Sequence, residues 1–313
     1  MFVVVKVLML TFDSNNITTH GSDLDWAICA LHAIFLLGVV GWSYVTNPRR
    51  RIFHYFAIGI LLITTIYYYI IASNLGGTGV PVEFRADGLV DRTRQVFYAR
   101  WVGYFINFSL AWFALLLLSG VGWASILFTT GLVMVWATMF LIGMFVRSTY
   151  KWGFFVFAIV MYVFIGWQTL GVARSYTTRF DAGTLRSFTI LAGWQLFFML
   201  LYPISWGLSE GGNRISNDSE QIFYSILDVA TQGVFSLLLI FLTRNLDFDY
   251  LGLGFTEYGR VRDAAAAARD TVHDEKRAHG ARAAPGNGAP ANTAAPADTY
   301  NPAAPAAAAG EGA

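Results

Sequence analysis

The amino-acid sequence predicts an all-α membrane protein: a seven-transmembrane helix bundle with a disordered C-terminal tail. Three observations predict it. Of the 313 residues, 56% are hydrophobic and only 13% are charged, against about 25% charged in an ordinary soluble domain. The mean hydropathy is +0.51. The apolar residues fall into runs almost free of charge, each near or above the ~20 residues that cross a hydrocarbon core. Soluble helices of that length would carry a charged outer stripe, and these runs carry none.

In chain order, residues 1–24 read as an extracellular N-terminal segment. Positions 1–12 are apolar apart from Lys6. They imitate a short signal peptide, but no small-residue cleavage pattern follows. The seven-helix domain spans 25–262. Its apolar runs are 26–46, 55–74, 101–146, 152–173, 187–209 and 221–243. The long third run breaks at Ser119-Gly120-Val121-Gly122, which makes seven segments. Residues 263–313 form the tail. Five of the eight prolines lie there, at Pro285, Pro290, Pro296, Pro302 and Pro305, among Ala, Gly and Asn. Such a stretch buries no core and is expected to be disordered and cytoplasmic.

The loops set an expected orientation. Arg49, Arg50 and Arg51 lie in the first loop, and Arg174, Arg179 and Arg186 in the fifth. The N-terminal segment holds Asp13, Asp23 and Asp25 against Lys6; the sixth loop holds Glu210, Asp218 and Glu220 against Arg214. Positive loops favour the cytosol, so the N-terminus is expected outside and the C-terminus inside, in a multi-pass protein of the plasma membrane. Arg85, Arg92 and Arg94 in the second loop, and Arg147 and Lys151 in the fourth, run against that asymmetry. The sequons Asn16-Ile17-Thr18 and Asn217-Asp218-Ser219 would face outside.

Other function classes find little support. A net charge of +1 gives no field for nucleic acid. A single cysteine, Cys29, excludes an intramolecular disulfide. His20, His32, His54, His273 and His279 have no metal-ligand spacing, and Gly76-Gly77-Thr78-Gly79 is not followed by the Gly-Lys-Ser/Thr of a phosphate loop. No enzyme, metal or catalytic residue is expected. His32, alone in an apolar helix, reads as an interior hydrogen-bonded residue.

The informative residues are polar ones inside the spans. The last span holds Asp228, with Gln232 one turn later on the same face. A charge near a helix centre costs about 2.5–3.5 kcal/mol unless it is paired or hydrated, so Asp228 is expected to face the interior. The third span opens with Arg100 and carries Tyr104 and Asn107 on that face. Arg100 is the expected counter-charge of Asp228. Pro203, the only proline inside a span, lies in Tyr202-Pro203-Ile204-Ser205-Trp206, where it frees a carbonyl and kinks the helix.

These residues together resemble the microbial (type 1) rhodopsins, over roughly residues 25–262. Phe97-Tyr98-Ala99-Arg100-Trp101-Val102-Gly103-Tyr104 is similar to that family's third helix. Tyr202-Pro203-Ile204-Ser205-Trp206-Gly207 is similar to its sixth helix, and Tyr224-Ser225-Ile226-Leu227-Asp228 to its seventh. The resemblance implies a retinal-binding lysine at the position of Gln232, a primary counterion at Gly103 and a proton donor at Ala114. It also implies a retinal-packing tryptophan where Met199 stands. A carboxamide forms no imine. The three lysines, Lys6, Lys151 and Lys276, lie in the N-terminal segment, the fourth loop and the tail by this reading. Glu210 and Glu220 resemble the family's extracellular glutamate pair but read as solvated loop charges. A small extracellular hairpin is expected over 76–90.

The pattern is similar to the fungal opsin-related proteins that lack this lysine and include membrane heat-shock proteins. That resemblance implies no covalent retinal, no proton pumping and a stress-linked or regulatory role. Its implied partners are the bilayer, a membrane protein such as the plasma-membrane proton ATPase, and a second copy in a homo-oligomer. The alternative is a photoreceptor, sensor or ion channel/transporter with a non-covalent ligand or ion path. Its pocket would be lined by Arg100, Tyr104, Asn107, Met199, Tyr202, Trp206, Asp228 and Gln232, with Gly103 keeping the interior open.

Overall fold

The computed structural model describes residues 14–15, 17–82, 93–248, 251 and 253. The tail, the segment 1–12, the Asn16 sequon and loop residues Arg85 and Arg92 lie outside the described residues. The chain divides into two units, Met1–Gly259 and Arg260–Ala313, and the first contains the bundle. Among the described residues, seven helices are long and apolar enough to cross a membrane: α1 Thr19–Val45, α2 Ile52–Ala72, α3 Tyr98–Ser119, α4 Trp123–Phe145, α5 Lys151–Thr177, α6 Ala182–Gly211 and α7 Asn217–Thr243.

Several helices begin well before their apolar runs. α1 starts at Thr19 rather than near 25, and α7 at Asn217 rather than 221. An apolar run excludes a polar first turn, whereas the helix keeps it when those polar groups find partners. Asp218 shows how: its carboxylate accepts from the Thr18 backbone N–H (2.9 Å) and hydroxyl (2.5 Å), tying the starts of α1 and α7 together. α6 starts on a side-chain cap. The Asp181 carboxylate accepts from the Thr184 hydroxyl (2.6 Å) and amide (3.0 Å), and these bonds hold its pKa below the usual aspartate value. The Ser-Gly break after α3 is confirmed. Gly120 is left-handed at φ 72°, and a Cβ there would meet the Phe180 ring at 2.6 Å.

A three-stranded sheet covers one end of the bundle, in the order β1-β3-β2. β1 is Ser14–Asn15, β2 Thr78–Pro81 and β3 Thr93–Val96. β2 and β3 pair antiparallel from Thr78↔Val96 to Pro81↔Thr93, so the expected hairpin forms. β1 joins β3 in parallel. This is called the sheet end below.

α3 is the axle. In its apolar window 72% of residues are buried, against 22% in α1 and 17% in α5. Its aromatic side interlocks with α4 and α6. Trp101 packs on Phe140 at 5.0 Å, Phe108 on Trp136 and on Tyr202 at 5.3 Å each, and Tyr104 on Tyr202 at 5.0 Å. Most of these pairs are edge-to-face, the arrangement ring quadrupoles favour. Three helices widen into a π turn, at Trp167–Ala173, Gly207–Gly211 and Val229–Val234. A π turn displaces the regular backbone bonds, and near the third one the Trp194 indole donates to the Ala230 carbonyl at 3.0 Å.

Candidate functional site

Asp228 is fully buried on α7. Tyr67 and Tyr68 of α2 donate their hydroxyls to its Oδ2 at 3.0 and 2.7 Å. Tyr202 of α6 donates to Oδ1 at 2.7 Å and also meets the Thr231 hydroxyl at 2.8 Å. Three phenols from two neighbouring helices therefore hold one carboxylate. Hydrogen bonds to an ionised acceptor are about twice as strong as neutral ones, so three donors offset much of the cost of taking a carboxylate out of bulk water.

Arg100 does not pair with Asp228, contrary to the expectation from sequence. It is buried, but it donates Nη2 to the Gln221 side-chain oxygen. Its Nη1 lies 3.8 Å from Glu220 Oε1, and its guanidinium sits 4.5 Å over the Tyr224 ring. The reason is that α7 begins a turn early, which brings Glu220 and Gln221 inside the bundle at the level of Arg100. Glu210 and Glu220 are likewise not solvated loop charges; both are buried. Glu220 Oε2 accepts from Arg94 Nε (3.2 Å) and Nη2 (2.5 Å). The other arm of Arg94 donates to Asn213 Oδ1 (2.8 Å) and the Ile215 carbonyl (2.7 Å). Glu210 accepts from the Trp101 indole at 3.2 Å, the Tyr224 hydroxyl at 3.0 Å and the Ser209 hydroxyl.

Lys151 opens α5 rather than sitting in a loop. It is buried, with its Nζ 3.4–3.5 Å from the Gly211 and Glu210 carbonyls at the end of α6. The Asn217 sequon is closed to modification: Asn217 is buried and its amide donates to the Gln95 carbonyl at 3.2 Å.

Gly103 does not hold the interior open. A Cβ at 103 would run into the Tyr67 ring. The glycine is what lets Tyr67 enter and reach Asp228. Gln232 is fully buried, and neither end of its carboxamide meets a partner. Asn107 donates to the Thr64 hydroxyl on α2 at 2.8 Å. Met199 and Ala114 are buried without polar contact. α6 runs helical through Pro203 and widens into its π turn four residues later. Trp206 leaves the expected pocket: its ring packs on Phe140, Trp152 and Phe155 at 5.6–5.9 Å. Of the expected lining, the structure brings Tyr104, Tyr202 and Asp228 together and separates Arg100, Asn107 and Trp206 from the carboxylate's immediate shell.

Residues 24–246 match the family of bacteriorhodopsin-like proteins. The chain belongs to the bacteriorhodopsin-like family. It is 36% identical over 271 residues to the opsin-like protein carO of Fusarium fujikuroi, covering 85% of this chain and 86% of that one. It is 31% identical over 299 residues to the 30 kDa heat shock protein of Saccharomyces cerevisiae, covering 86% and 88%. Among solved structures, the light-driven proton pump LR (Mac) of Leptosphaeria maculans superposes with a TM-score of 0.71 at 25% identity, covering 76% of this chain and 99% of that one.

Within this family member, sequence reasoning missed Tyr67 and Tyr68, the Arg94–Glu220 pair and Asp25. The sequence places Asp25 in the N-terminal segment, whereas it is fully buried on α1. One signal was readable: Tyr67-Tyr68-Tyr69 sets three consecutive hydroxyls inside an apolar span. Arg94 gave no signal of its own, because its strand is short and its partners lie more than a hundred residues away.

Proposed function

We propose that this chain keeps the opsin scaffold without the pigment's chemistry: it binds no retinal covalently, pumps no protons, and serves a stress-linked role in the plasma membrane. The observation that carries this reading is the joint state of two positions. Gln232 offers no nucleophile, and the space in front of Gly103 is filled by the Tyr67 ring. The likeness to a heat shock protein supports the stress link. The partner in this reading is a membrane protein, with the plasma-membrane proton ATPase first to be tested, contacted from a chain whose N-terminus is outside and whose tail is cytoplasmic.

The test has two arms. Purified protein mixed with all-trans retinal is expected to give no red-shifted, hydroxylamine-sensitive band; such a band would refute the loss of the pigment. Co-purification with the ATPase from stressed cells is expected with the tail and reduced without it. Absence of the ATPase in both preparations would remove that partner. A second reading, a sensor or ion path with a non-covalent ligand, draws on the unpartnered Gln232 carboxamide beside Asp228. Light-dependent or light-independent currents in voltage-clamped membranes would favour it over the first.

A further inference from the structure

At the end of the bundle opposite the sheet, arginines gather where α1 ends, α2 begins and α7 ends. Arg50 closes the short turn Pro48–Arg50 between α1 and α2. It donates Nη1 to the Arg244 carbonyl, just past α7, at 3.0 Å. Arg51 donates Nε to the Thr46 carbonyl at 2.8 Å and Nη2 to the Tyr44 carbonyl at 3.2 Å. These bonds cap the carbonyls that α1 and α7 leave without helical partners.

Capping accounts for only part of this group. A guanidinium offers five N–H donors. Arg50 commits only Nη1. Arg244 lays its guanidinium 4.0 Å over the Phe241 ring, a contact that leaves the donors at its edge unused. Among the described residues no carboxylate stands within ion-pair reach of Arg50, Arg51 or Arg244, Asp247 included. A surface of one sign without acids draws an anion. The same corner is apolar. Tyr44 and Val45, the last residues of α1, are 77% and 83% exposed, and Phe241 in the last turn of α7 is 49% exposed. Such groups at the end of a span lie at the boundary of headgroups and acyl chains, and arginines there keep their stems on apolar surface while the charge reaches the headgroups.

We propose that Arg50 and Arg244, with Arg51 behind them, bind one anionic phospholipid: its phosphate meets the guanidinium donors and an acyl chain lies along Tyr44, Val45 and Phe241. The planar fork of arginine matches two phosphate oxygens at once, which the point charge of a lysine does not. A lipid satisfies both halves of the corner. A free phosphate would answer the charges and leave the exposed rings of Tyr44 and Phe241 unmet. The bound lipid joins the ends of the first and last spans. The site depends neither on retinal nor on a partner protein, nor on which side of the membrane this end faces.

The experiment uses the full chain, stripped of lipid in detergent micelles and titrated with phosphatidylglycerol, whose one negative charge is its phosphate. Bound lipid is counted by native mass spectrometry. The first phosphatidylglycerol is expected to bind more tightly than phosphatidylcholine. Arg50→Gln and Arg244→Gln are each expected to weaken it about fivefold, the usual worth of one arginine near an anionic headgroup. Arg186→Gln removes an exposed charge at the same end, on α6, and is expected to leave the binding unchanged. Inorganic phosphate at the same concentration is expected neither to bind nor to displace the lipid. Equal binding of the two lipids, displacement by phosphate, or an equal loss in Arg186→Gln would each overturn the proposal. The same holds for undiminished binding in a folded double variant, Arg50→Gln with Arg244→Gln. The unmodified chain decides lipid preference and phosphate competition even if a variant fails to fold.

Discussion

The sheet end and the middle of the bundle both hold buried carboxylates, and they do so by different means. At the sheet end Glu220 is met by the charged guanidinium of Arg94, with Arg100 close by. In the middle Asp228 is met by three neutral phenols. The difference teaches where full charges are affordable. Near the sheet, Arg94 can satisfy its remaining arm on loop groups, Asn213 and the Ile215 carbonyl. In the middle the backbone around Asp228 is helical and offers no loop groups of that kind, so an arginine would bring more donors than acceptors. Single hydroxyls deliver one donor each and leave nothing over.

The largest expected effect breaks the charged side of this contrast. Arg94→Met leaves Glu220 buried without its main counter-charge and is expected to cost about 3–5 kcal/mol, read as a lowered thermal midpoint in detergent micelles. Adding Glu220→Met is expected to recover most of that loss. If the double variant melts no higher than the single one, the pair is not what holds this end. The neutral side is next. Tyr68→Phe removes one of three donors to Asp228 and is expected to cost about 1.5–3 kcal/mol. A near-zero effect would show that two phenols suffice.

Gly103→Ala sharpens the contrast by testing packing instead of bonding. Its new methyl must displace the Tyr67 ring, at an expected cost of about 1–3 kcal/mol. In Tyr67→Ala the same change is expected to be nearly silent. The smallest effect belongs to a group outside both regions. Asp181→Ala removes the α6 cap and is expected to cost about 1 kcal/mol. Because its bonds to Thr184 depress the Asp181 pKa, that contribution is present above the unfolded aspartate value of about 4 and fades as pH falls through the lowered value. A melting difference between Asp181→Ala and the unmodified chain that persists well below that range would contradict the assignment.

The seven spans were readable because lipid imposes a length and a composition on each one separately. The surroundings of Asp228 were not. Helical spacing says which residues share a face, but not which neighbouring helix that face meets. A buried carboxylate calls for the opposite charge, which points to Arg100; Tyr67 and Tyr68 are uncharged and carry no such signal. Glu220, Asn217 and Asp25 were misplaced for a single reason. Each belongs to the polar first turns of its helix, which an apolar run leaves out. Gly103 reads as empty space because a sequence shows what a glycine lacks and not what a partner puts there.

That last position couples substitutions that look independent. An aspartate placed at 103 would collide with the Tyr67 ring. Removing Tyr67 first would strip Asp228 of one of its three donors. Each change is penalised on its own, so the ring acts as a latch between α2 and α3: positions 67 and 103 exchange at low cost only as a pair, and α7 registers any exchange that breaks the pair.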